Sequence, residues 1–275
     1  MTTRARKRKV GQRDSLWDLI VNDNDDICFQ HILPRLNGTD VKFLYEVNAE
    51  TRKLIKRSSR AWELKEKLKV EEMSSISTLE VAWEHKSLWP SRWTETYFCK
   101  RVAETNKLEL LKWAREEKKC EWDSGTIDAA AYQGNLEMVK YCVAKKCPID
   151  AWACAEAAGN GHLEVLKYLR EEAKARWDSE TAAGAAKFGH LHILEYLVER
   201  KYDQYSEWAC MDAAKFGHLD CLQYLHETAK APWDSRAVRS AHLLFNQTHC
   251  VQYLLDNNCP LPEDWSCEDG QLRAA

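Results

Sequence analysis

Three histidines recur at a fixed spacing, and histidine is the side chain that most often binds metal ions in proteins. His162, His190 and His218 follow one another at steps of 28 residues. Equivalent positions in neighbouring units of a stacked helical array lie roughly 10 Å apart, the distance between packed helices. A zinc ion needs each ligand atom at about 2 Å, so these histidines cannot share one ion. We therefore predict structural histidines and no metal site.

The cysteines are the second group that could carry chemistry. Cys142, Cys147 and Cys154 are the closest together, but their spacing lacks the Cys-x-x-Cys pairs of zinc sites. Packing as small apolar side chains explains them better. The sequence also contains no glycine-rich phosphate loop and no nucleophile motif with a nearby base. We predict that the protein is not an enzyme and uses no cofactor.

Length, charge and apolar pattern argue against several protein classes. The chain has 275 residues, a formal net charge of −3 and a pI near 6.3. This balance argues against nucleic acid as a partner, because phosphate binding needs a basic face. No apolar run approaches the roughly 18 to 20 residues that cross a bilayer, and the 11 cysteines follow no cleavable apolar leader. We expect reduced thiols, no membrane partner and a cytoplasmic or nuclear location.

A repeat organises most of the chain. Anchor leucines, each followed five residues later by an aromatic residue, recur at steps of 27 or 28 residues: Leu108, Leu136, Leu163, Leu191 and Leu219. An alanine pair stands six and five residues before each of the last four anchors, and a glycine stands two residues before each. Small residues allow close helix packing, and glycine tolerates the positive φ of a tight turn. The pattern predicts an all-α solenoid whose units are each a helix, a turn and a second helix.

Two further features describe the unit. The anchor leucine and the positions three and six residues later share one face of the second helix, which we predict to be core. Trp-Asp-Ser recurs at 122–124, 177–179 and 233–235. We predict that this aspartate caps the following helix and that the tryptophan packs back beside it.

Three segments carry a family resemblance. Ala-Ala-Lys-Phe-Gly-His-Leu occurs at 185–191 and 213–219, and Ala-Gly-Asn-Gly-His-Leu-Glu-Val-Leu occurs at 158–166. These motifs resemble ankyrin repeats, and we expect six units within residues 98–265, with degenerate first and last units as in other repeat arrays. The period is shorter than the family's roughly 33 residues, so long β-hairpin fingers are not expected. The resemblance implies binding of another protein through a concave face.

In ankyrin repeats, the two residues between the alanine pair and the turn glycine commonly face that surface. Here the resemblance assigns partner binding to Tyr132, Gln133, Asn160, Lys187, Phe188, Lys215, Phe216 and Phe245. The phenylalanines would form a row flanked by lysines, suited to an acidic and partly apolar surface. Alternatively, they pack between neighbouring units and stabilise the fold.

The N-terminal residues divide into a tail and a small helical module. Residues 1–25 begin with a basic cluster that fits a nuclear-import signal and continue with acidic residues, and we expect a disordered tail. Residues 26–57 have apolar residues at three- and four-residue spacings, which predicts three short helices, one capped by Thr39 or Asp40. This segment resembles an F-box through Ile27, Ile32, Leu33, Leu36, Val41 and Leu44. The resemblance implies docking onto a ubiquitin-ligase adaptor.

Residues 58–97 are expected to form a helical linker that caps the start of the solenoid. Ser77 and Glu80 have the spacing of a capping box, which predicts a helix over 78–86. Residues 266–275 are expected to be a tail after the last unit.

Together these features predict a non-enzymatic protein that binds another protein. We hypothesise a substrate receptor of a ubiquitin ligase, whose first module docks onto the ligase adaptor and whose repeats select the target. The alternative is a plain ankyrin scaffold or inhibitor, in which the first module only caps the solenoid. The sequence leaves the target and the oligomeric state open.

Overall fold

The computed structural model describes residues 28–36, 38–47, 49–62, 69–70, 73, 75–86, 89–243, 247–268 and 271–274. Its contacts divide the chain into two compact units, Met1–Trp93 and Thr94–Ala275. The tail expected at residues 1–25 lies outside the described residues.

Short helices around a small apolar core make up the N-terminal module. A π-helical turn at Cys28–Ile32 leads into a 3-10 turn at Leu33–Arg35, followed by α1 at Gly38–Val47 and α2 at Ala49–Arg57. Because α1 begins at Gly38, Asp40 lies in its first turn and not at the predicted cap position. The buried core residues are Leu33, Val41, Leu54 and Ile55.

The described residues of the segment after this module include an α-helix, α3, at Ile76–Glu84. The helix begins two residues earlier than predicted, because Ser75 and Thr78 form the capping box in place of Ser77 and Glu80. Trp89 is buried, and its indole N–H donates a 2.7 Å hydrogen bond to the carbonyl oxygen of Ala82.

Six helix pairs make up most of the described part of the second unit. The first helices are α4 (Glu95–Glu104), α6 (Ser124–Tyr132), α8 (Trp152–Gly159), α10 (Ser179–Lys187), α12 (Glu207–Phe216) and α14 (Ser235–Leu243). The second helices are α5 (Leu108–Lys112), α7 (Leu136–Ala144), α9 (Leu163–Glu171), α11 (Leu191–Glu199), α13 (Leu219–Tyr224) and α15 (Thr248–Asp256). Each first helix packs against its own second helix and against the neighbouring first helices. The predicted all-α helix-turn-helix solenoid is confirmed.

Of the three core positions predicted in each second helix, one differs in the structure. The anchor leucines are only half-buried, because each is the first residue of its helix and lies next to the turn. In α11, for example, Ile193, Leu194 and Leu197 are fully buried while Leu191 is not. The core positions are therefore two, three and six residues after the anchor.

The recurring histidines tie each unit to the one before it. His162 Nε2 lies 3.0 Å from the carbonyl oxygen of Tyr132, and His218 Nε2 lies 3.1 Å from that of Lys187. Each ring also covers the preceding turn, so a Cβ added to Gly134, whose φ is +69°, would lie 2.5 Å from His162 Nδ1. These contacts give the histidines a structural role between units.

The Trp-Asp-Ser motifs begin the first helices, as predicted. Asp123, Asp178 and Asp234 each accept a hydrogen bond from the backbone N–H two residues later, at 3.0 to 3.1 Å. The tryptophan packs against the preceding second helix, where the Arg170 guanidinium lies 4.3 Å from the centre of the Trp177 ring. The motif therefore joins each of these units to its neighbour.

Each second helix is followed by a residue in the left-handed conformation. The φ values lie between +55° and +59° at Lys119, Lys146, Lys174, Lys201, Lys230 and Asn258. The residue after each is buried, which fixes the path of the chain into the next unit. Lysine is strained in this conformation because of its Cβ atom.

The chain ends in a hairpin that the sequence did not predict. Strand β1 at Trp265–Glu268 pairs with β2 at Gln271–Ala274 in antiparallel register, with Cys267 opposite Leu272. Trp265 is buried, and its ring centre lies 5.3 Å from that of His242 in α14.

Candidate functional site

Equivalent residues of the first helices form a shared surface, which we call the first-helix face. Their four- and three-residue spacing puts them on one side of each helix. They are Trp152, Glu156 and Gly159 in α8, Glu180, Gly184 and Lys187 in α10, and Trp208, Asp212 and Lys215 in α12.

A groove of about 370 Å³ lies on this face and is lined by residues of α6, α8, α10 and α12. Two glycines lie at its floor, where α8 and α10 approach closely. A Cβ on Gly184 would lie 3.3 Å from the Gly159 Cα, whereas a Cβ on Gly159 would have ordinary contacts at 3.7 Å or more. The lack of side chains at these two positions leaves room above the floor.

Aromatic side chains line the groove while remaining open to solvent. Tyr132 is 51% exposed, Trp152 is 57% exposed and Phe188 is 55% exposed. Soluble proteins rarely leave several large apolar side chains exposed together unless the surface binds something. Aromatic residues of this kind are also enriched at the centres of protein interfaces.

Three carboxylates line the same groove: Glu156, Glu180 and Asp212. In the described part of the chain, none of them forms an ion pair within 4.0 Å. Partial burial raises the pKa of Glu156 and of Asp212 above the ordinary carboxyl values. Glu156 and Asp212 have therefore lost part of their hydration, and the charge of Lys100 partly opposes this effect at Glu156.

A fourth carboxyl, Asp128 of α6, lies near this acidic group. Burial, followed by the negative charges of Asp150 and Glu156, raises the pKa of Asp128 to about 7. Its Oδ1 atom is buried and accepts no hydrogen bond from the described residues.

The two lysines of the first-helix face are held over aromatic rings. Lys187 Nζ lies 5.1 Å from the ring centre of Phe188 and 5.7 Å from that of Phe216. Lys215 Nζ lies 5.1 Å from the Phe216 ring. Their charges partly oppose the effect of burial on the pKa of Asp212.

Half of the residues assigned to partner binding by sequence line the groove, namely Tyr132, Asn160, Lys187 and Phe188. Gln133 instead donates a 3.1 Å hydrogen bond to the carbonyl oxygen of Glu104. Lys215 and the half-buried Phe216 belong to the next unit. Phe245 lies outside the described residues.

The groove is also lined by four residues that were not predicted from the sequence: Trp152, Glu156, Glu180 and Asp212. Helical spacing could have identified them, because each lies three, four, seven or eight residues before a predicted position on the same helical face. The glycines at 159 and 184 open the groove, and their effect depends on the distance between two helices.

The residues assigned to adaptor docking form part of the module's own core. Leu33 and Val41 are buried, and Ile32, Leu36 and Leu44 are partly buried against them. Ile27 lies outside the described residues. A polar substitution at Leu33 or Val41 would therefore disrupt the module itself.

The thiols are arranged for packing. Nine cysteines are buried and Cys267 is exposed, and none of these ten forms a disulfide. Burial raises the pKa of Cys154 and Cys210 to about 12, so both remain protonated thiols at neutral pH.

Among the described residues, no three His, Cys, Asp or Glu side chains are grouped so that they could hold a metal ion. Within the same residues, no helix combines the length and apolarity that a bilayer-spanning segment requires.

Comparison with known families identifies part of the solenoid. Residues 155–236 match a family model described as ankyrin repeats in three copies, and residues 127–170 match a second described as ankyrin repeats in many copies. No family model supports the F-box-like interpretation of residues 26–57. No curated protein matches the chain. Residues 127–236 are therefore ankyrin repeats, a kind of repeat that indicates a protein–protein interaction module.

Proposed function

We propose that this chain binds a protein partner, without catalysis, through the first-helix face of its solenoid. The observation that carries the proposal is the cluster of exposed Tyr132, Trp152 and Phe188 around one groove. Tyr132 and Trp152 belong to α6 and α8, and Phe188 directly follows α10, so a single partner segment lying across the three units would contact all of them. The contact set includes Asn160 and Lys187 in the groove and Lys215 and Phe216 beside it.

The proposal is tested by capturing partners with tagged full-length protein from cells that express it. The double variant Tyr132→Ser, Phe188→Ser removes apolar surface that is already exposed, so its melting temperature is expected to stay near that of the wild type. Trp62→Ser is the matched control, because Trp62 is 60% exposed and lies in the other unit. A partner retained by the control and lost by the double variant supports the proposal. Equal capture by both variants contradicts it.

We further propose that residues 26–57 dock onto a ubiquitin-ligase adaptor, which would make the chain a substrate receptor. Two observations support an independent role for this segment: it has its own apolar core, and Ile32, Leu36 and Leu44 are only partly buried. Co-purification of the full chain with an adaptor subunit tests this, with Leu36→Ser as the interface variant. Circular dichroism and melting show whether that variant stays folded. Absence of binding by the folded wild type would leave a plain scaffold or inhibitor.

A further inference from the structure

The first-helix face contains one tryptophan that an arginine of the same chain covers. The Arg236 guanidinium of α14 lies 5.1 Å from the ring centre of Trp208 in α12, pairs with Asp234 just before α14 at 2.7 Å, and lies 4.0 Å from the Glu207 carboxylate. A guanidinium stacks favourably on an aromatic face and pairs with carboxylates through its fixed set of donors. The chain thus already contains one arginine site on this face.

The same position recurs two units earlier without the arginine. Steps of 28 residues separate Trp152, Glu180, Trp208 and Arg236 in turn. Glu180 therefore occupies the same position relative to Trp152 as Arg236 does relative to Trp208. No cationic side chain of the described residues lies over the Trp152 ring, which is more exposed than that of Trp208. A carboxylate therefore stands where the later pair of units has a guanidinium.

The groove beside Trp152 has the other features that an arginine side chain needs. Among the lining residues, Glu156, Glu180 and Asp212 carry three negative charges and Lys187 carries one positive charge. Lys100 acts on Glu156 and Lys215 acts on Asp212 from beside the groove. Lys187 lies over the Phe188 and Phe216 rings. The glycine floor gives room for the aliphatic part of a long side chain. Charge complementarity thus favours a basic partner segment over an acidic one.

We propose that this groove binds an arginine side chain of the protein partner. The guanidinium lies over Trp152 and pairs with Glu180 and Glu156, and the aliphatic part crosses the floor at Gly159 and Gly184. The inference rests on the proposed function, since it names the chemistry of the partner that the first-helix face binds. It reverses the acidic partner expected from the sequence.

The test uses the full chain and the fluorescein-labelled peptide Gly-Ser-Leu-Arg-Leu-Arg-Ser-Gly, followed by anisotropy at low salt. Peptides with Gln, Lys or Glu in place of Arg are the comparison ligands. Charge-assisted hydrogen bonds predict that the Gln peptide binds about tenfold more weakly or worse. Equal binding of the Arg and Gln peptides, tighter binding of the Glu peptide, or no binding of any peptide overturns the proposal.

Variants of the chain locate the binding. Glu180→Arg supplies a guanidinium in place of the partner's, as Arg236 does for Trp208, and is expected to lower affinity for the Arg peptide about tenfold or more. The double variant Glu137→Gln, Glu164→Gln is the matched control on the second helices, and affinity should stay within about twofold because exposed charges contribute little. An unchanged affinity in Glu180→Arg would place the binding elsewhere.

Two further outcomes distinguish a failure of the arginine assignment from a failure of the proposed partner-binding function. The first is equal affinity for the Arg and Gln peptides while partner capture still depends on Phe188. In that case the proposed binding surface is supported and the arginine assignment is wrong. If the peptide binds much more tightly once the basic residues at 4–13 are changed to Gln, the chain's own N-terminal segment occupies the groove. That result would overturn the assignment to a partner.

Discussion

The turn between the two helices of a unit offers a sharp test of the packing, through Gly134→Ala. Gly134 has a φ of +69°, and an added Cβ would lie 2.5 Å from His162 Nδ1. An L-residue in this conformation costs about 1–2 kcal/mol. The methyl group must also displace the His162 ring and weaken its 3.0 Å hydrogen bond to Tyr132, for about 1 kcal/mol more. The expected loss of stability is therefore about 2–3 kcal/mol.

The two contributions separate in a double-mutant cycle with His162→Ala. Once the imidazole is removed, only the backbone strain remains, so Gly134→Ala should cost about 1–2 kcal/mol. The coupling free energy should be about 1 kcal/mol. Urea denaturation followed by circular dichroism measures all four proteins, and equal slopes are required for the comparison.

Gly159→Ala is the control, because its added Cβ meets only ordinary contacts at 3.7 Å or more and Gly159 lies within helix α8, outside the left-handed region. A helical Gly→Ala change of this kind should stabilise the fold by about 0.5–1 kcal/mol. A coupling between the Gly134 and His162 substitutions within about 0.3–0.5 kcal/mol of zero would mean that they are independent. The account of the histidines as contacts between units would then be wrong.

Further predictions concern the helix ends, the acidic group and the thiols. Lys201→Gly, at a φ of +56°, should raise stability by about 0.5–1 kcal/mol in urea denaturation because the left-handed strain is removed; a loss of stability would contradict this. Asp128 binds its proton more tightly in the folded than in the unfolded state, so its contribution to stability should fall as pH rises from about 4 to 7 and stay constant above that. Asp128→Asn should remove that slope and, after solvent screening is allowed for, stabilise the protein by about 1–2 kcal/mol at pH 8; an unchanged pH profile would refute the raised pKa. In a Cys28→Ser variant, Ellman's reagent should react quickly with Cys267, while the nine buried thiols react only on unfolding; rapid reaction of several thiols would contradict their burial.

The helix pairs could be predicted from the sequence because they depend on local patterns. The leucine, alanine and glycine spacings define each unit, and the Trp-Asp-Ser motif locates the start of a first helix through the capping of its backbone N–H groups. The anchor leucine was misjudged because its burial depends on the adjoining turn. The start of α3 was displaced because Ser75 and Thr78 repeat the capping spacing of Ser77 and Glu80.

The groove was less predictable, because it depends on distances between units. In the sequence, Gly159 is recognisable only as part of a family motif. It opens the groove only because Gly184 lies opposite it on the neighbouring helix. The acidic character of the groove comes from residues three to seven positions before those that the resemblance selected. The β-hairpin after the last unit has no alternating apolar pattern long enough to reveal it.

Photo-crosslinking gives the most direct test that the first-helix face binds the partner. Benzoylphenylalanine is placed at Trp152 or Phe188, and, as controls, at Lys140 or Lys167 on the second helices. In cells that express the protein, we predict a covalent adduct with the same partner from positions 152 and 188 and none from the controls. Adducts from the second-helix positions, without adducts from 152 and 188, would contradict the account.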